Sequence, residues 1–249
     1  MQNGKLTIIC EYLDYADGRG VIAAIAAGEN QNLRRVLIGP EPAVHLSYPY
    51  IFQHEGQWLC IPETHQAREV ALYAAEQFPH RWRKLSTLLS DLEVVDATPF
   101  RFQDYWWIAA ADAGLSSPSA DLFLWYARDL MGPWSAHPGN PVKTDVRSAR
   151  PAGTPFIVDG VLYRPAMDCS ETYGGRVVIN RVVRLTPNSF DEVPVAAVGP
   201  DADGPYPDGL HTLSAVGDVT LIDGKRLIFV PAEFRRTVRN VFRRLLGGR

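Results

Sequence analysis

Residues 94–108 read "VVDATPFRFQDYWWI", and the reading of this stretch decides the fold. Two runs of β-branched and aromatic side chains flank the polar pair Gln103-Asp104, so the segment reads as two strands joined by a tight turn. The same plan returns along the chain. "NGKLTIICEY" from Asn3, "EGQWLCIPET" from Glu55, "QDYWWIAAAD" from Gln103, "DGVLYRPAMD" from Asp159 and "DGKRLIFVPAE" from Asp223 each place a polar turn, an apolar strand and an acidic residue in that order. The segments leading into the turns also recur, as "SYPYIFQ", "DATPFRFQ", "AGTPFIV" and the looser "SAVGDVTLI".

The turn glycines set the period. Gly4 to Gly56 is 52 residues, Gly56 to Gly160 is 104 with one glycine-less turn between, and Gly160 to Gly224 is 64. A repeat of about 50 to 60 residues suits a four-stranded propeller blade with a long loop or two. "EVALYAAE" and "DLFLWYAR" supply third strands, and "FPHRWRKLSTLL" and "MGPWSAHPGNPV" the turn and outer edge. The expectation is an all-β, five-bladed propeller with units near 1–43, 44–93, 94–145, 146–205 and 206–233. A β-sandwich is the alternative, but it does not require the same punctuation five times, whereas radial repetition does. The first unit lacks a first strand before Asn3-Gly4. Either the C-terminal part of the chain supplies it on closing the ring, or the sequence starts late.

Composition agrees with many short strands: 19 prolines, 20 glycines and a 10% aromatic share in 249 residues. Cys10, Cys60 and Cys169 are too scattered for a disulfide framework or a zinc site and read as buried thiols. No metal and no particular cofactor is indicated. Neither a signal peptide nor a run of roughly 20 apolar residues is present, so the expected location is cytoplasmic. The net charge of -3 is uneven. Residues 234–249 carry six arginines and no acid, leaving 19 basic against 28 acidic side chains in residues 1–233. An acidic body argues against nucleic-acid binding. In the tail, Phe234, Val238, Phe242 and Leu245 fall on one helical stripe with arginines around it. Residues 234–249 therefore read as a basic amphipathic helix that packs on the acidic body, on a protein partner or on an anionic membrane surface.

"ALYAAEQFPHRWRKL", "VVDATPFRFQDYWWI", "WYARDLMGPWSAHPGNPV" and "DGLHTLSAV" resemble the five-bladed propeller glycosidases, the arabinofuranosidase and xylosidase group together with the invertase-like enzymes. The likeness is closer still to the N-terminal propeller domain of plant glucosamine inositolphosphorylceramide transferases and of bacterial sugar-modifying proteins. This resemblance implies a carbohydrate substrate or ligand at the channel mouth. It also implies a first-blade aspartate as general base, a third-blade aspartate as orienter, a fourth-blade glutamate as general acid and a fifth-blade histidine. Asp96 matches the orienter and His211 the histidine. The strand that would carry the base is absent before Met1, and "RSARPAGTPF" puts Arg147 and Arg150 where the acid would lie.

First strands line a propeller's channel, so their opening residues, Tyr48, Asp96, Arg150 and His211, should surround one mouth. Glu11, Glu63, Asp112 and Asp168, just beyond the second strands, sit on the same face or merely cap turns. Asp96 stands between apolar residues, where a carboxylate is costly to bury without partners. It is read as a catalytic carboxylate or as a turn cap bonded to Thr98. Glu63, in the polar cluster "PETH", and Asp168, before a loop with Tyr173, are the candidate second carboxylates, since glycoside cleavage needs two. Arg150, His211, Tyr48, Tyr173 and Arg147 are the candidate substrate-binding residues. Arg150 could bridge a carboxylate such as Asp96 or take an anionic sugar or phosphate, and His211, flanked by leucines, could be a core residue. Trp58, Trp106 and Trp107 read mainly as core. The function expected is glycoside hydrolysis or transglycosylation at the channel mouth, with a non-catalytic glycan- or partner-recognition domain as the alternative.

Overall fold

The computed structural model describes residues 6–14, 18–26, 33–40, 43–114, 117–231, 234–235 and 237. Its strands form separate antiparallel sheets in chain order. The first sheet holds β1 (Thr7–Asp14), β2 (Arg19–Ala26) and β3 (Arg34–Arg35). The second holds β4 (Ser47–His54), β5 (Gln57–Glu63), β6 (Glu69–Gln77) and β7 (Arg81–Ser90). The third holds β8 (Val94–Phe102), β9 (Tyr105–Asp112) and β10 (Asp121–Ala127), with two short edge strands on β10, β11 (Ser135–Ala136) and β12 (Lys143–Thr144). The fourth holds β13 (Phe156–Val158), β14 (Val161–Asp168), β15 (Arg176–Thr186) and β16 (Ser189–Val198), and the terminal hairpin pairs β17 (Gly209–Val216) with β18 (Val219–Lys225).

Local chemistry explains the hairpins. The pairs His54↔Gln57, Phe102↔Tyr105, Val158↔Val161 and Val216↔Val219 each close a two-residue loop. Glu55-Gly56 and Asp159-Gly160 both have positive φ at each position, the primed turn whose twist matches the flanking strands.

Packing explains why β9 reads as an almost unbroken apolar run. Its alternate residues Trp106, Ile108 and Ala110 join a core with Leu59, Ile61, Val70 and Leu72 of the second sheet. The intervening Trp107 and Ala109 face Leu122, Leu124, Ala149 and Leu162, in a core shared with the fourth sheet. A sheet packed on both faces leaves no polar side to alternate with. The sheets thus stack face to face in sequence order, and the protein is an all-β propeller.

Two expectations are corrected. Among the described residues four blades are present, not five: four sheets have three or more strands, while the unit at 206–233 yields only the hairpin β17–β18. The physical cause is the position of its turn, which falls at Gly217-Asp218 rather than at Asp223-Gly224. The expected strand "RLIFV" therefore leaves the sheet, and Leu227, Ile228 and Phe229 are exposed and unpaired in the ladder. The helix expected over 234–249 falls almost wholly outside the described residues, and no α-helix stands among the described elements. The Asn3-Gly4 turn also lies outside them. Cys60 is buried as expected, whereas Cys10 and Cys169 are only half-buried, and all three thiols are free. Among the described residues, no helix is long and apolar enough to cross a membrane.

Candidate functional site

The first strands of the blades carry a shared irregularity. The ladders β4–β5, β8–β9 and β17–β18 lose register between Ser47 and Tyr50, between Val95 and Thr98, and between Leu210 and Leu213. Tyr48, Asp96 and His211 lie inside these three bulges. A bulge bends the strand and re-aims one side chain. Tyr48 and Asp96 also adopt left-handed backbone, with φ of 39° and 54°, a conformation disfavoured for non-glycine residues and found where surrounding contacts enforce it. In the fourth blade, Gly153 occupies the comparable strand opening at φ 116°, bridged to Leu213 of the terminal hairpin. A Cβ there would overlap the Leu213 carbonyl oxygen, so only glycine fits.

These bulges gather one connected polar group. Glu63, at the end of β5, accepts the Asp96 backbone N–H on Oε2 at 3.0 Å and the His65 Nδ1–H on Oε1 at 3.0 Å. The Asp96 carboxylate takes the Arg150 Nε–H at 2.5 Å, with Asp96 buried and the Arg150 side chain 11% exposed. The Arg150 guanidinium lies 4.9 Å from the centre of the Tyr173 ring, a cation–π contact strengthened by its low exposure. Tyr173 Oη and His211 Nε2 are 2.8 Å apart, and His211 Nδ1 reaches Asp223 Oδ2 at 3.0 Å. The Tyr48 hydroxyl joins Thr98 Oγ1 at 2.9 Å and accepts the Gly153 N–H at 3.0 Å, linking three blades at one atom.

The electrostatics follow from burial and pairing. Burial pushes the Asp96 carboxyl up, and the adjacent Arg150 charge opposes this without cancelling it. Burial also pushes Glu63 up, but its hydrogen bonds from His65 and from the Asp96 N–H prevail and hold it below the ordinary carboxylate value. The hydrogen bond to Glu63 in turn raises His65. Burial alone would lower Arg150, yet the Asp96 charge outweighs it, so the guanidinium stays protonated. The phenols of Tyr48 and Tyr173 are both raised, chiefly by burial and then by the Asp96 charge.

Of the predicted site residues, Tyr48, Glu63, Asp96, Arg150, Tyr173 and His211 come together. Asp168 and Arg147 do not join this group. Asp168 accepts the Ser170 N–H and hydroxyl and the Arg176 Nε–H, which keeps its carboxyl low against the cost of burial. Arg147 forks onto Asp145 on the surface. Asp112 caps a turn at the Gly114 N–H. Asp96 is not a cap: Thr98 donates to its backbone carbonyl, leaving the carboxylate for Arg150. Trp106 and Trp107 are core residues. Trp58 lines a cavity of about 680 Å³ with His54, Phe78 and Met131 at the opposite end of the β4–β5 hairpin from Glu63.

Three neighbours escaped sequence reasoning as site residues: His65, His45 and Asp223. His45 Nε2 approaches Glu11 at 3.4 Å and its ring centroid lies 6.2 Å from that of His65. "PETH" held the signal for His65. His45 and Asp223 had none, because their roles depend on which blades become neighbours. Among the described residues no group of three or more His, Cys, Asp or Glu is placed to hold a metal ion.

Known proteins with the same architecture cleave glycosidic bonds. The chain superposes on a family-32 β-fructofuranosidase of Bombyx mori with TM-score 0.62, covering 94% of this chain and 55% of that one at 13% identity. It superposes on an α-L-arabinofuranosidase of Lactobacillus brevis with TM-score 0.57, covering 94% and 84% at 14% identity. A family 117 glycoside hydrolase of Zobellia galactanivorans gives 0.58, covering 84% and 71% at 16% identity. At such identities the likeness is one of fold. Sequence similarity is stronger to glucosamine inositolphosphorylceramide transferase 1 of Oryza sativa subsp. japonica, 38% identical over 163 residues, and of Arabidopsis thaliana, 33% identical over 162. Each match covers 64% of this chain but only 22% and 21% of those proteins, so the chain spans about a fifth of their length. The model of one family matches residues 6–202, and with the propeller and its bulged strands in view the chain belongs to that family: glucosamine inositolphosphorylceramide transferase 1, N-terminal.

Proposed function

We propose that this propeller recognises a carbohydrate at the mouth where the bulged strands converge, without cleaving it, in the service of a glycosyl-transferring system. The observation that carries this reading is that every candidate catalytic carboxylate is buried and already holds a protein donor. Asp96 is paired with Arg150, both Glu63 oxygens accept hydrogen bonds, and Asp168 is held by Ser170 and Arg176. Glycoside cleavage needs two carboxyl groups free to reach the leaving oxygen and the anomeric carbon. Asp96 and Glu63 are buried as well as held by protein donors, and such a pair is a rigid frame rather than an acid and a base. The family's name, given to transferases several times longer than this chain, favours the same class of ligand.

Hydrolysis or transglycosylation is the second reading, favoured by the opposite displacements of two adjacent carboxyls, Asp96 upward and Glu63 downward, the pattern of acid and base pairs. Assaying a panel of aryl glycosides beside titration of the free sugars separates the two. Recognition predicts saturable binding with no turnover above background. Turnover that falls about 10²-fold or more in Asp96→Asn and Glu63→Gln would establish the enzyme instead.

A further inference from the structure

The polar atoms still open at the mouth are few, and they are not the arginine and histidine that the resemblance singles out. Arg150 gives its Nε–H to Asp96, lies over the Tyr173 ring and has a side chain only 11% exposed, and both His211 nitrogens are engaged by Tyr173 and Asp223. His65 differs. Its Nδ1–H is given to Glu63, an acceptor that fixes the ring's orientation, and Nε2 has no hydrogen-bond partner among the described residues. Its side chain is 28% exposed. Glu11, on β1, is the other open group, with a side chain 33% exposed.

The surroundings of Glu11 fix its orientation. The Gly20 N–H donates to His45 Nδ1 at 2.9 Å, so the proton of neutral His45 sits on Nε2 and points to Glu11 Oε1. Burial lowers His45 and keeps it neutral near pH 7, so it orients Glu11 without cancelling its charge. Gly20 has no side chain to spare here: a Cβ would crowd the Glu11 carboxylate, the Leu46 carbonyl and the His45 ring. The His45 ring that approaches Glu11 lies 6.2 Å from the His65 ring, itself bonded to Glu63, which places Glu11 at the same mouth; burial, and then the Glu63 charge, push its carboxyl up.

We infer that Glu11 and His65, from adjacent blades, are the ligand-contacting and specificity-determining residues of this mouth, and that they take a pair of hydroxyls on a neutral sugar. This rests on the recognition reading above. A carboxylate accepts from one hydroxyl, and His65, whose Nδ1–H is held by Glu63 in a bond that favours its protonated form, donates its Nε2–H to a second. The carboxylates Glu11, Glu63, Asp96 and Asp223 outnumber the Arg150 guanidinium at this mouth, so like charge disfavours a uronic acid or a sugar phosphate there.

The test titrates the full chain with neutral monosaccharides, the matched uronic acids and the matched sugar phosphates, following affinity by calorimetry and the His65 Nε2 resonance by nitrogen-15 NMR. Neutral sugars should bind and shift Nε2, and Glu11→Gln should weaken them about tenfold, the scale of one charge-assisted hydrogen bond, while narrowing the gap to the uronic acids. His65→Gln, with its folding checked by thermal melting, should weaken binding similarly. Sugar binding that leaves the Nε2 resonance unmoved and is unchanged in Glu11→Gln would overturn the inference while sparing recognition. Preference for the uronic acids or phosphates would overturn it too. Absence of binding by the unaltered chain to every sugar would overturn the recognition reading itself, and this inference with it.

Discussion

Tyr48 concentrates more of the architecture than any other single side chain at the mouth, because its hydroxyl joins Thr98 and the Gly153 N–H. Tyr48→Phe keeps the ring but leaves that N–H without its acceptor, and should cost about 1–3 kcal/mol in urea unfolding. The Asp96–Arg150 pair calls for a double-mutant cycle. Arg150→Gln strands a buried carboxylate and should destabilise by about 3–5 kcal/mol, whereas adding Asp96→Asn should recover much of the loss. A cycle with no coupling would mean that the pair is not maintained in solution. The Glu63–His65 pair makes a signed statement about pH. Glu63, lowered in the fold, adds stability that is present above its ordinary value of 4.5 and lost as pH falls through its folded value. His65, raised in the fold, adds stability that is full below 6.5 and lost as pH rises through its folded value. Both contributions are therefore complete between about pH 4.5 and 6.5, and Glu63→Gln should flatten the stability profile on both sides of that window. At this scale Asp96 was legible from the sequence, since a carboxylate in "EVVDATPF" demands a partner. The partner was not: Arg150 is 54 residues away and meets Asp96 only across a seam between blades.

Each first strand is a pairing element interrupted by a bulge, and the interruption is what aims Tyr48, Asp96 and His211 inward. Glycines mark the difference between a turn and a seam. Gly56 has φ 77° with open space around it, so Gly56→Ala should cost only the strain of a left-handed alanine, about 1 kcal/mol. Gly153→Ala meets the Leu213 backbone as well, and should separate the terminal hairpin from the fourth blade. Hydrogen exchange would report this as lost protection across Gly209–Val216 with β8–β10 unaffected. Equal effects of the two substitutions would contradict the seam. Turn chemistry at Glu55-Gly56 and Asp159-Gly160 was readable from residue types. The bulges were not, because Tyr and Asp do not ordinarily announce positive φ; the hydrogen bonds of neighbouring blades impose it.

Across the whole molecule, stability resides in the faces where blades stack. Trp107, fully buried between the third and fourth blades with Leu124, Ala149 and Leu162 around it, is a sensitive position. Trp107→Ala should cost about 3–5 kcal/mol by removing contact area and leaving a cavity. Because each blade touches mainly its neighbours, the loss should appear first as weakened protection of β9, β10 and β14, then as global unfolding. A uniform loss over the first sheet would argue against nearest-neighbour coupling.

Residue order by itself determined the strands, most of their hairpin turns, the apolar run of β9 and the recurrence that makes a propeller, since these depend on side-chain period, turn conformation and burial within some ten residues. It also assembled most of the candidate group, through the rule that first strands open at the channel. Tertiary structure alone decided the number of blades, because the turn at Gly217-Asp218 competed with one at Asp223-Gly224 and the winner depends on what the hairpin packs against. It alone decided that Arg150 is paired with Asp96, that Asp168 and Arg147 stand apart, and that Glu11 and His65 remain partly exposed. Those outcomes are fixed by distances between blades, and no local pattern of residues encodes which groups a closing ring will bring within 3 Å of one another.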